Sequence, residues 1–157
     1  MSPDMRRPGK HFTWREVTRS TKATQLGINN EPGRRAKLAV MLLCSEVLDP
    51  IRDAAGLPVN PTSWFRCEAL NEAIGGYIRS QHLIGEAADI KIPGMRAIEI
   101  AQLVHDMGIE FDQLIWYSAA RGGHVHISYT GRRRNRMEFR HAPTSGGYPL
   151  WTPTAAS

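Results

Sequence analysis

Residues 80–89 read SQHLIGEAAD and residues 124–128 read HVHIS. The first stretch places an imidazole, His82, and a carboxylate, Asp89, seven positions apart around Gly85. In the second, a strand's period of two puts His124 and His126 on one face and Val125 and Ile127 on the other. Ala87 and Asp89 would share a strand face, the small alanine leaving space beside the carboxylate. Gly85 permits the sharp turn that folds His82 back toward that strand. His82, Asp89 and one histidine of the pair then make two imidazoles and a carboxylate, a ligand set of catalytic zinc with a fourth position open to water. Nitrogen ligands favour zinc over calcium or magnesium, the lack of thiolates sets it apart from structural zinc, and iron or manganese could use similar ligands. The remaining histidine is a candidate to accept water's proton or pass one to a leaving amine. Taken singly, each residue has a plainer reading: His82 in a surface loop, Asp89 as a strand-end cap, HxH as the polar face of a half-exposed strand.

The surrounding sequence predicts the elements that must carry these residues. Thr13 and Glu16 have capping-box spacing, so a helical turn is expected over residues 14–19. INNEPG, residues 28–33, reads as a turn before a helix, with Asn30 a candidate cap and Pro32 near the first turn. Residues 33–54 carry the strongest helix signal: Leu38, Met41, Leu42, Leu48 and Ile51 fall at near-helical spacing, and Pro50 should bend or interrupt the last turn. LPVNPTSWFR (57–66) predicts a turn and a short strand, and CEALNEAIGG (67–76) a short helix stopped by Gly75 or Gly76. EAADIKI reads as a strand ended by Pro93 and Gly94, MRAIEIAQLVHDMG as an amphipathic helix ended by Gly108, and DQLIWY and HVHISY as strands. The expectation is a small α+β domain, a short and mainly antiparallel sheet packed against helices with the metal site on the sheet face. A flexible N-terminus over 1–10, a domain over 11–140 and a Pro/Gly/Ser/Thr-rich tail over 141–157 complete the plan. Most of the tail is expected to be loosely held, with Tyr148, Leu150 and Trp151 able to dock.

With 157 residues, 41% hydrophobic and 22% charged, the chain suits one folded domain with its own core. The net charge of +5 favours anionic partners without choosing among them. Arg132, Arg133, Arg134 and Arg136 form the densest cluster, readable as a solvated turn or as a contact for anionic polymers. Specific nucleic-acid binding is not expected, because the aromatics are not interleaved with basic residues along a strand pair. No apolar run follows the N-terminal arginines, so no signal peptide is expected, and LAVMLLC (38–44) is too short to span a bilayer. Cys44 and Cys67 read as core or incidental thiols.

Ser80, His82, Gly85, Ala87 and Asp89 meet a Ser-x-His-x-x-Gly-x-Ala-x-Asp pattern, and in it the chain resembles the zinc D-Ala-D-Ala carboxypeptidase and L-alanyl-D-glutamate endopeptidase family, peptidase M15, especially its small phage-type cell-wall hydrolases. Arg66, Leu70, Asn71, Gly75 and Gly76 in TSWFRCEALNEAIGG, then FDQLIWY and HVHIS, extend the similarity over roughly residues 11–130. The resemblance implies His82, Asp89 and His126 as zinc ligands, and Arg66 as a catalytic and substrate-binding donor to a peptide oxygen. Ser80 and Asp112 are expected beside the substrate, although Asp112 could instead pair with Arg66. Two positions depart from the pattern. Trp64 stands where glycine is more usual, and Gly123 stands where many relatives carry a catalytic Asp or Glu. Members of the HxH form place a histidine beside the metal instead, which makes His124 the candidate base, with Glu86 and Asp112 as substitutes. The implied activity is hydrolysis of an L-Ala-D-Glu or D-Ala-linked amide in peptidoglycan stems. It implies a monomer acting on the bacterial cell wall, made without an export signal and released by a phage lysis partner or carried in a virion. A metal-containing protein that binds the wall without cutting it is the alternative, and a nucleic-acid-binding protein a weaker one.

Overall fold

The computed structural model describes residues 3–155. Two short helices open it, α1 (Trp14–Thr18) and α2 (Thr21–Leu26). The Thr13/Glu16 capping box starts α1 as its spacing requires. The long apolar stretch forms α3 (Arg34–Leu43), a π-helical turn over Cys44–Leu48, and α4 (Asp49–Ala55). Pro50 does not end the helical run, but the α-helical ladder gives way to a π-turn immediately before it. The proline lacks the N–H that an α-turn would need and its ring crowds the preceding carbonyls, and the wide turn just before it accommodates both. The buried stripe is Val40, Leu43, Cys44, Val47, Leu48 and Ile51, while Leu38 is 38% exposed. That corrects the face expected from Leu38, Met41 and Leu42: LAVMLLC is apolar all round, so spacing alone could not choose its inward side.

The sheet follows as β1 (Asn60–Ser63), β2 (Ala87–Lys91), β3 (Gln113–Tyr117), β4 (Val125–Ser128) and β5 (Glu138–Ala142), with α5 (Glu68–Ala73) and α6 (Ala97–Met107) between strands. Its order is β1-β2-β4-β3-β5. All neighbours are antiparallel except β3 and β5. Ala88, Ile90, Val125 and Ile127 bury one face against α3, α4 and α6, in a core with Trp64 and Phe111. The opposite face is left for Asp89 and His126, paired across β2 and β4. The small, mainly antiparallel α+β architecture is the expected one.

Three local expectations change. Asn30 is not a helix cap, since Gly33 stands at that position. It is buried, donates to the carbonyls of Thr18 and Phe65, and accepts from the Cys67 N–H. The N-terminal segment from residue 3 onward is anchored: the Trp14 indole donates to the Met5 carbonyl, and Lys10 and His11 N–H groups donate to Asp49. The C-terminal segment through residue 155 is held as well. Strand β5 crosses residue 140, Trp151 packs edge-on to Trp116 and Phe139, and Thr154 exchanges hydrogen bonds with Gln102. Polar composition concealed this, because a few aromatic anchors and main-chain bonds are enough to hold such a strap. Residues 1, 2, 156 and 157 lie outside the described residues. Among those described, no helix is long and apolar enough to cross a membrane.

Candidate metal centre

His82 sits in a single 3-10 turn, Gln81–Ile84, whose start is capped by the Ser80 hydroxyl accepting from the His82 N–H. The turn ends at Gly85 with φ of +79°, where an added Cβ would lie 2.4 Å from the Ala36 carbonyl oxygen. Only glycine meets both conditions, so helix α3 and the turn can touch and His82 is pressed inward, 2% exposed. Its Nδ1 lies 2.6 Å from the Trp64 carbonyl oxygen. A carbonyl accepts only, so Nδ1 carries the proton and the lone pair is on Nε2.

That Nε2 is 3.3 Å from Asp89 Oδ1. His126 brings its Nδ1 to 3.0 Å from the same oxygen. One ligand atom from each of the three residues lies within 4.8 Å of the other two. Tetrahedral zinc with bonds of about 2.0–2.1 Å sets its ligand atoms roughly 3.3 Å apart. The donor set, its spacing and the carbonyl behind His82 therefore fit a divalent cation of the zinc type. Burial pushes His82 below the ordinary imidazole range, partly offset by Asp89. Burial alone would raise Asp89, but the two histidines outweigh it and hold the carboxyl well below its usual range. A neutral imidazole and an ionised carboxylate are the forms that bind metal.

A model of the peptidase M15 family matches residues 10–128. The chain belongs to the peptidase M15 family. No curated protein matches it. The match ends at β4, so β5 and the docked strap of this M15 chain lie beyond it.

The other expected residues fall into two groups. Arg66 stands near the triad: its backbone N–H donates to the His82 carbonyl, and one guanidinium nitrogen is 3.4 Å from the Ser80 hydroxyl. Its Nε is buried without a partner among the described residues, as is the Trp64 indole N–H. A buried donor left unpaired costs about 1–3 kcal/mol. Burial lowers the Arg66 pKa, which Asp89 partly restores. His124 precedes β4 with its ring stacked on Tyr117, centroids 4.1 Å apart, and burial lowers its pKa.

Asp112 and Glu86 are placed elsewhere. Asp112 has no exposed surface; its carboxylate accepts from Arg133, Arg136 and Gln81, with Arg133 at 2.8 Å. This corrects its expected substrate contact and its possible pairing with Arg66. Glu86, 3% exposed, accepts from Arg132, Gln81 and Thr130. Three of the four clustered arginines thus answer buried acids. The sequence left that cluster as either a solvated turn or a contact for anionic polymers, and neither reading paired it internally; the signal available was a pair of acids within otherwise apolar segments, each needing a cation. Gln81 joins the two networks immediately before His82.

Burial would raise Asp112, but Arg133 and Arg136 outweigh it and hold the carboxyl well below its usual range. A folded-state pKa below the unfolded value gives stability that is full above the unfolded pKa and fades as pH falls toward the folded one. Asp112→Asn is expected to lower unfolding free energy by roughly 2–3 kcal/mol at pH 7, less than for a fully buried pair because the arginine side chains are 43% and 44% exposed. Below about pH 4 the gap between variant and parent should narrow in urea titrations. A gap that stays constant across pH would mean the carboxylate's charge is not what holds the loop.

Proposed function

We propose that the chain is a zinc-dependent peptidoglycan peptidase, endolysin-like, hydrolysing an L-Ala-D-Glu or D-Ala-linked amide in the peptide stem. The observation carrying this reading is the convergence of His82 and His126 on one oxygen of Asp89 within the M15 frame. His82, Asp89 and His126 would hold the cation. When bound, it supplies Lewis acidity that polarises a carbonyl and makes water a competent nucleophile near neutral pH. Arg66 offers unpaired N–H donors where negative charge develops on the peptide oxygen, with Ser80 steadying its guanidinium. His124, neutral because burial lowers its pKa, accepts the proton at its ring nitrogen and returns it to the leaving amine. The buried core behind β2 and β4 keeps the triad's backbone fixed.

The site of action on this reading is the bacterial wall, reached from the host cytoplasm through a phage lysis partner or from a virion. Peptide stems are the primary partner and anionic envelope polymers a secondary one. The secondary role rests on the net charge of +5, since most of the 132–136 cluster is matched internally. A second reading, a metal-holding wall binder, is favoured by Gly123 alone.

Dialysis against a strong chelator is expected to abolish release of new amino termini from purified peptidoglycan, and added zinc to restore it. Wall binding that persists in the metal-loaded protein without new amino termini would decide for the binder. Digestion unaffected by chelation would remove the metal from the mechanism altogether.

A further inference from the structure

A cavity of about 240 Å³ lies between β1 and the α1–α2 junction, and its lining includes Arg66 and Trp64, whose main chains both bond to His82. Ser63 of β1 pairs in register with Asp89, and the Trp64 carbonyl orients His82, so the cavity and the triad share a wall. Its lining carries donors and no acid: Arg66, Arg19 and the hydroxyls of Ser20 and Thr62, over apolar Leu70. Arg19, at the exposed rim, makes one bond of 3.4 Å to the Pro61 carbonyl, and neither arginine has a carboxylate partner among the described residues. Two of the buried side-chain nitrogens without a partner among the described residues, Arg66 Nε and Trp64 Nε1, belong to residues that line this same cavity; the others, Trp116 Nε1 and His141 Nε2, lie outside its lining. Two of the buried acids, Glu86 and Asp112, are matched by cations, gathering three arginines between them. Here cationic donors are gathered and the acceptor is lacking. A planar fork of N–H groups over an apolar floor suits a carboxylate at the end of a short methylene stem. A larger depression of about 690 Å³ is lined by Glu68 and Glu72 and has the opposite charge.

We propose that this cavity is a carboxylate subsite, with Arg19 at its rim reading the acidic side chain or free α-carboxylate of a peptide residue next to the scissile bond. The inference rests on the peptidase reading and adds a specificity determinant to it. Arg66 serves both the reacting carbonyl and the subsite, whereas Arg19 touches only the bound carboxylate.

The test compares the zinc-loaded parent, Arg19→Gln and Arg19→Lys on paired synthetic stem peptides that differ only in a free or amidated glutamyl carboxylate. The parent is expected to favour the free acid through KM, by on the order of tenfold. Arg19→Gln should erase that preference by raising the free acid's KM to that of the amidated peptide, with the zinc content unchanged, and Arg19→Lys should keep part of it. In parallel, NMR titration of parent and Arg19→Gln with N-acetylglutamate, its uncharged diamide N-acetylglutamine amide, and inorganic phosphate reads binding without turnover. Saturable shifts with the acid alone, lost in Arg19→Gln, support the subsite. A parent that hydrolyses both peptides equally, a preference surviving in Arg19→Gln, or phosphate binding as well as N-acetylglutamate would overturn it. If the parent cuts neither peptide, the peptidase reading fails, and acid-selective shifts lost in Arg19→Gln would still support the subsite.

Discussion

His126→Ala is expected to leave the protein folded and without stoichiometric zinc, with turnover on peptidoglycan down by three orders of magnitude or more, roughly 4 kcal/mol of lost transition-state stabilisation. The residue is partly exposed on the outer face of β4, while its neighbours Val125 and Ile127 carry the core contacts. Removing the ring therefore removes a ligand without opening a cavity in the core. His82→Ala should lose metal too, but with a stability cost, since His82 is almost fully buried and bonded to Trp64. Elemental analysis, thermal unfolding and wall digestion on the same preparations separate the two variants. A His126→Ala protein that retains one zinc per chain and digests walls would dismantle the triad.

The second large effect belongs to His124. His124→Ala should keep its zinc and lose about 10²- to 10⁴-fold in turnover, the range for removing a general acid–base. Gly123 has no carboxylate to offer, and the carboxylates of Glu86 and Asp112 are taken up by arginines away from the triad. His124, whose pKa burial lowers, stands two residues before His126 with its ring stacked on Tyr117. Metal content with turnover is the discriminating pair of readouts. Undiminished turnover with full zinc would pass the proton to another group and leave the fold assignment untouched.

What could be read from the sequence was local. The return of His82 toward β2 followed from Gly85, the shared face of Asp89 and Ala87 from strand alternation, and the His126 ligand from resemblance rather than from spacing, which fitted either histidine of the pair. Three things were not readable. The inward face of α3 was hidden because every residue of LAVMLLC is apolar. The roles of Arg132, Arg133 and Arg136 depended on Glu86 and Asp112 arriving beside them from distant strands, a long-range pairing that composition shows only as surplus charge. Strand β5 was missed because EFRHA at a sheet border lacks the alternation of a half-buried strand, and its parallel pairing to β3 needs a connection that no turn motif announces.

The carbonyl that orients His82 belongs to the main chain of residue 64. A backbone oxygen survives any substitution at its own position, so the tautomer of this ligand does not depend on which side chain the chain carries there. Drift at residue 64 is therefore chemically silent toward the cation and constrained only by the space around it. That freedom lets an indole, packed at 5.4 Å against Phe12, occupy the position without disturbing the ligand's orientation.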